Sequence, residues 1–161
     1  MIELRRAVRV LLVTPDERVL LLAAEDPDAD GRTRFWFPPG GGIEEGEDPR
    51  AALAREVAEE TGYALPGVGV DEVWHRCHRF RWGGVRIDQR ERWFLARVPS
   101  AFAIDRSGWT PGEQADLRDA RWFTLAELDA CPDRLVPADL AARLRELLRD
   151  GPPDEPVDVG V

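Results

Sequence analysis

The chain has 161 residues, 43% of them apolar, and a net charge of −9 in which every side-chain cation apart from histidine is an arginine. That length suits one domain with one core, and no apolar run approaches the ~20 residues of a membrane span. An acidic surface repels long polyanions, so a nucleic acid polymer is not an expected partner; a small phosphorylated ligand is compatible if a cation or local arginines offset the charge.

The first residues, Met1-Ile2-Glu3-Leu4-Arg5-Arg6, lack a secretory pattern, and the cytoplasm is the expected compartment. Cys77 and Cys131 lie far apart with no C-x-x-C spacing, and are expected as reduced thiols. Ala7 to Val13 reads as a buried strand, Thr14 to Glu17 as a turn, and Arg18 to Ala24 as a second strand, giving a hairpin. Glu25 to Arg34 is a polar loop, and Phe35-Trp36-Phe37 a short aromatic strand that stops at Pro38-Pro39. Gly40-Gly41-Gly42 and Ile43 to Glu47 read as a loop whose backbone needs freedom. Asp48 caps a helix from Pro49 to Thr61, and Gly62 terminates it. Val73 to Trp82 and Val85 to Val98 form strands around a Gly83-Gly84 turn. A loop follows from Pro99 to Leu117, then a strand from Asp119 to Phe123 and a helix from Leu125 to Asp129 capped by Thr124. Pro137 to Leu148 is an amphipathic helix. The tail, Asp150 to Val161, is Gly-, Pro- and acid-rich and is expected to be disordered. This is an α+β pattern: a mixed sheet with helices packed on it.

On a helical wheel, Glu56, Glu59 and Glu60 fall within an arc of about 100°, at the edge of the face that Leu53, Ala54 and Val57 turn toward the sheet. Glu56 and Glu60 are like charges at i,i+4, which destabilises a helix. A divalent cation reverses that sign, and magnesium takes oxygen ligands that it shares with phosphates. Arg55, at i,i+4 to Glu59, is placed to neutralise or orient one acid.

Gly41, five residues, Glu47, seven residues, then Arg55-Glu56-Val57-Ala58-Glu59-Glu60-Thr61-Gly62-Tyr63 resembles the Nudix box at every fixed position. Tyr63 departs from it, standing where the family usually has an aliphatic residue. The resemblance implies an α/β/α sandwich with a mixed sheet over residues 1–149, and hydrolysis of a nucleoside diphosphate linked to a group X. It implies Mg2+ (or Mn2+) as cofactor. Glu56, Glu59 and Glu60 would be ligands, Arg55 would orient one of them, Glu47 would brace the loop, and the Gly40 to Gly42 backbone would lie against metal or phosphate. Catalytic roles are expected for Glu56, Glu59, Arg55 and Glu113, the last in a loop placed like the family's catalytic loop; Asp116 is a weaker candidate.

Outside the box, His75 and His78 are an odd number of residues apart on one strand, so they face opposite ways and do not form a joint metal site. Arg79 and Arg81 share a strand face and are candidates for holding substrate phosphates; Trp36 and Phe80 are candidates for stacking on a base. The sequence cues of the family's ADP-ribose, dinucleoside polyphosphate and NADH-cleaving members are absent around His78 to Phe80. By elimination the expected substrate is a nucleoside triphosphate, including oxidised ones, cut to monophosphate and pyrophosphate by a monomer or homodimer. The other readings are a dinucleoside polyphosphate, ADP-ribose or nucleotide-sugar hydrolase, or a ligand-binding module without catalysis.

Overall fold

The computed structural model describes residues 1–29 and 33–160. Strands β1 (Ile2–Val13), β2 (Val19–Glu25), β3 (Arg34–Phe37) and β4 (Gly40–Gly42) precede helix α1 (Pro49–Thr61). Strands β5 (Val70–Trp82) and β6 (Val85–Arg97) lead to α2 (Pro111–Asp116), β7 (Leu117–Phe123), α3 (Leu125–Ala130), β8 (Arg134–Leu135), α4 (Leu140–Asp150) and β9 (Val157–Asp158). The sheet runs β8-β3-β2-β1-β6-β5-β9, with β4 also pairing with β1 and β7 with β2.

β1 organises the molecule. It runs parallel to β6 from Ile2↔Arg86 to Val13↔Arg97, while its other edge is shared. β4 takes Ala7 to Arg9, and β2 pairs at Val13↔Val19. The expected hairpin is therefore only a turn, held by Thr14 Oγ1 donating to Asp16 at 2.6 Å, after which the strands diverge. Parallel pairing with a strand some 80 residues later leaves no local sequence signal, which is why β1 is also longer than its apolar stretch suggests.

Alternation along β1 feeds two cores. Leu11 and Val13 pack with Trp93 and with Leu140, Leu144 and Leu147 of α4. Val8, Val10 and Leu12 pack with Phe94 and with Ala52, Leu53 and Val57 of α1. Helices thus cover both faces of a mixed sheet, as expected. The boundaries of α1 match the sequence: Asp48 accepts from the amides of Arg50 and Ala51, and Gly62 closes the helix at φ +78°.

Elsewhere the structure differs from the sequence reading. Gly40–Gly42 is a paired strand, not a loop. The expected Pro99 to Leu117 loop contains α2, started by a capping box between Thr110 and Glu113. The last helix begins at Leu140 rather than Pro137. The tail is not disordered over its described part: β9 pairs with Trp74 and His75 of β5, and Val159 is buried, since two valines offer apolar contact that composition alone conceals. Part of the Glu25 to Arg34 loop, and Val161, lie outside the described residues.

Leu144 is fully buried in the α4 core. Leu144→Ala is expected to cost about 2–5 kcal/mol in urea unfolding, with cation affinity at the acidic cluster unchanged; weakened cation binding at constant fold would show that α4 and the cluster are coupled.

Candidate active site

Helix α1 and strand β4 build the site together. Gly40 and Gly41 pair with Arg9 and Val8 of β1, which holds β4 against the middle of that strand. A Cβ on Gly40, whose φ is +151°, would lie 1.9 Å from the carbonyl oxygen of Val8, and one on Gly41 would lie 2.5 Å from the Glu56 carboxylate. Only glycine lets the acids of α1 rest directly on this backbone.

Arg55 locks the arrangement. Its Nε and Nη2 donate to the two oxygens of Glu47 at 2.9 and 2.8 Å, Nη1 donates to Glu56 at 2.9 Å, and Nη2 also reaches the carbonyl of Gly42 at 3.0 Å. Glu59 stands 3.6 Å from the same guanidinium. One guanidinium thus contacts two of the acids, and Glu47 also accepts the Glu44 N–H within the loop at 3.0 Å. The hydrogen bond from Arg55 draws the Glu47 carboxyl down to about 2.

The third acid comes from outside the helix. Glu56, Glu59 and Glu113 each offer an oxygen, and these oxygens lie within 4.8 Å of one another. Glu113 arrives because its loop docks on the end of α1: Trp109 Nε1 donates to the carbonyl of Glu60 at 2.8 Å, and a Cβ on Gly108 would come within 2.7 Å of the carbonyl oxygen of Glu59. Asp116, the weaker candidate, lines the same cleft.

Glu60 is placed differently. It is 3% exposed and accepts the Gly40 N–H at 2.8 Å, and the Gly40 carbonyl accepts from Arg9 at 3.1 Å. Glu60 and Gly40 line the cleft beside the cluster of three rather than joining it. Burial raises the carboxyls of both Glu56 and Glu60 above the usual range; repulsion from Glu59 and Glu113 adds to it at Glu56, and repulsion from Glu56 and Glu113 adds to it at Glu60. An all-oxygen, anionic donor set resting on a side-chain-free cradle fits a hard divalent cation.

The acids border a cleft of about 880 Å³ whose floor is the odd-numbered face of β1 and β6 and the even-numbered face of β5. Phe80 lies in it, stacked on His78 with ring centroids 4.7 Å apart. One expectation is corrected. Trp36 is 3% exposed, donates to Asp133 at 3.0 Å and packs edge-on against Phe123, so it belongs to the core; Phe35 and Phe37, on the other face of β3, line the cleft. Arg79 and Arg81 lie on the exposed face of β5, where Arg79 pairs with Asp88 at 3.3 Å, and both also line the cleft. The cations of the floor are Arg5, Arg9 and Arg76. Arg9, an arginine inside an apolar strand, is the signal that could have found them. His75 is exposed and His78 faces the cleft, on opposite faces as the spacing requires.

The chain matches the model of the NUDIX domain over residues 3–150. It is 32% identical over 142 residues to an RNA pyrophosphohydrolase of Novosphingobium aromaticivorans, a match covering 83% of each chain. It is 51% identical over 124 residues to an RNA pyrophosphohydrolase of Rhizobium meliloti, covering 72% of each. Among solved structures, a MutT NUDIX hydrolase from Burkholderia pseudomallei superposes with a TM-score of 0.64 at 22% identity, over 88% of this chain and 98% of that one.

Gly41→Ala is expected to displace Glu56 and lower turnover about a hundredfold, with the thermal midpoint nearly kept; unchanged turnover would remove the cradle from the argument. Burial lowers His78 to about 4. Between pH 6.5 and 4 the unfolded chain then binds a proton that the folded chain refuses, so stability falls as pH drops through that window. The drop in unfolding free energy from pH 7 to 4.5 should be smaller in His78→Gln than in the parent, and equal drops would contradict the burial of the ring.

Proposed function

The chain belongs to the Nudix family of hydrolases, and we propose that its substrate is a nucleoside 5′-triphosphate, cut to a monophosphate and pyrophosphate. The observation that carries this reading is the convergence of Glu56, Glu59 and Glu113 at the mouth of a cleft floored by arginines. In this reading those three acids hold a magnesium or manganese ion, with Glu60 and the Gly40 carbonyl bordering the same space. When bound, the ion supplies charge neutralisation and Lewis acidity toward phosphate oxygens.

The remaining work falls to side chains. Arg5 and Arg9, on the strand next to β4, hold the phosphate chain in line. Water oxygen attacks phosphorus, the bridging P–O bond breaks, and pyrophosphate leaves with the electron pair. Glu113 takes the proton from the attacking water. Arg55 keeps Glu56 aimed throughout.

A second reading places the same triphosphate on the first nucleotide of an RNA. The names of the two relatives above favour it, and the net charge of −9 weighs against it. The chemistry at the anhydride is identical. An RNA substrate would be recognised through phosphates further along the strand, so its KM would rise steeply with salt.

The test is pyrophosphate release from nucleoside triphosphates and from a 5′-triphosphorylated oligonucleotide, with and without magnesium. Cation-dependent release is expected, reduced about a thousandfold or more in Glu59→Gln. Magnesium or manganese should raise the thermal midpoint of the parent but not of the Glu56→Gln, Glu59→Gln double variant. Tight nucleotide binding with no turnover on any polyphosphate would instead identify a binding module.

A further inference from the structure

We propose that Arg76 and Gln89, in the floor of the cleft, read the base edge of the substrate and select a 6-oxopurine, guanine or hypoxanthine, over adenine. The proposal rests on the reading of the substrate as a nucleoside triphosphate.

Arg76 is 5% exposed and lines the cleft. Its Nη1 donates to Glu91 Oε1 at 3.0 Å. Its Nε is, among the described residues, the one buried side-chain nitrogen or oxygen without a hydrogen-bond partner. An unmet buried donor is costly, and a charged one more so, and it marks a cleft-lining guanidinium whose hydrogen bonding the protein leaves incomplete. The guanidinium is also immobilised. Glu91 receives Arg76, Arg9 at 3.5 Å, Gln89 at 2.7 Å and Trp93 at 3.2 Å.

The sheet register sets how far this donor stands from the reaction. Gly42 pairs with Ala7, Ala7 with Glu91, and Glu91 with Arg76. Three strand spacings of ~4.8 Å put Arg76 about 14 Å from the glycine strand. With its anhydride at the acids, a nucleotide reaches that distance with its base rather than its phosphates. Phe80, two residues beyond His78 on the same face, supplies an apolar wall for a ring.

The polarity of the floor distinguishes the bases. Gln89 gives its amide N–H to Glu91, which leaves the amide oxygen to accept. Arg76 donates and Gln89 accepts. A 6-oxopurine presents the complement: acceptors at O6 and N7, and a donor at N1. Adenine reverses positions 6 and 1, setting a donor against the arginine and an acceptor against the amide oxygen. The neutral His78 ring adds no charge to blur this pattern.

The experiment compares GTP, ITP and ATP as substrates, and the binding of the α,β-methylene analogues of GTP and ATP by tryptophan fluorescence. The parent should favour GTP and ITP over ATP by about ten- to a hundredfold in kcat/KM, mainly through KM, and Arg76→Met should reduce that preference to below about threefold. Equal use of the three, or a preference that survives Arg76→Met, overturns the proposal. If Arg76→Met does not fold, the parent's ranking decides alone. If no triphosphate is hydrolysed, the proposed function fails separately, while tighter binding of the GTP analogue still supports the base reading and equal or absent binding of the two analogues overturns it.

Discussion

Close approach between a helix and a strand governs this molecule. Glu56 lies where a Cβ on Gly41 would otherwise be, and β4 lies where a Cβ on Gly40 would strike β1. With glycine at both positions, α1 can press its acidic edge onto hydrogen-bonded backbone. Arg55 then ties helix, loop and strand together through Glu47, Glu56 and the Gly42 carbonyl. The charge that accumulates there is unfavourable in isolation, and burial makes it more so for Glu60. Such stored repulsion is what a bound cation relieves.

The same constraint extends across the sheet. Glu60 accepts from Gly40, Gly40 accepts from Arg9, Arg9 pairs with Glu91, and Glu91 holds Arg76. Desolvation pushes the Glu91 carboxyl upward, but Arg9 and Arg76 more than reverse it and leave it below the usual range. Two guanidiniums around one carboxylate give the floor a surplus positive charge without exposing it. The acidic cluster and the basic floor are thus parts of one polar layer, opposite in sign and joined by backbone.

What the sequence revealed and what it hid follow from range. Helix α1, its Asp48 cap and its Gly62 stop are local features, and the acids on it follow from helical spacing. Glu113 is singled out only through the resemblance of its loop's position to the family's, and the capping box that starts α2 there is not part of that reading. Tyr63, the one departure in the box, is absorbed by stacking on Phe102 at 4.7 Å. The face of a strand that meets the cleft is not local. Arg79 and Arg76 differ by an odd number of positions, and only the pairing of β5 with β6 and β6 with β1 decides which side is the floor. Trp36 and Phe35 exchange roles for the same reason. The span of β4, three glycines with no side-chain pattern, had no strand signal at all.

The last described residues change how β5 meets its surroundings. This strand stands next to the sheet's border, and β9 covers only Trp74 and His75 of it. From Cys77 to Trp82 the outer border has no partner strand among the described residues, and there Arg79 and Arg81 project on the exposed face. Charged side chains along a bare border discourage a second chain from adding a strand. The arginines that resemble phosphate ligands in the sequence would therefore act as a fence, keeping copies of the molecule from zipping together while the two-residue clasp of β9 seals the end they leave uncovered.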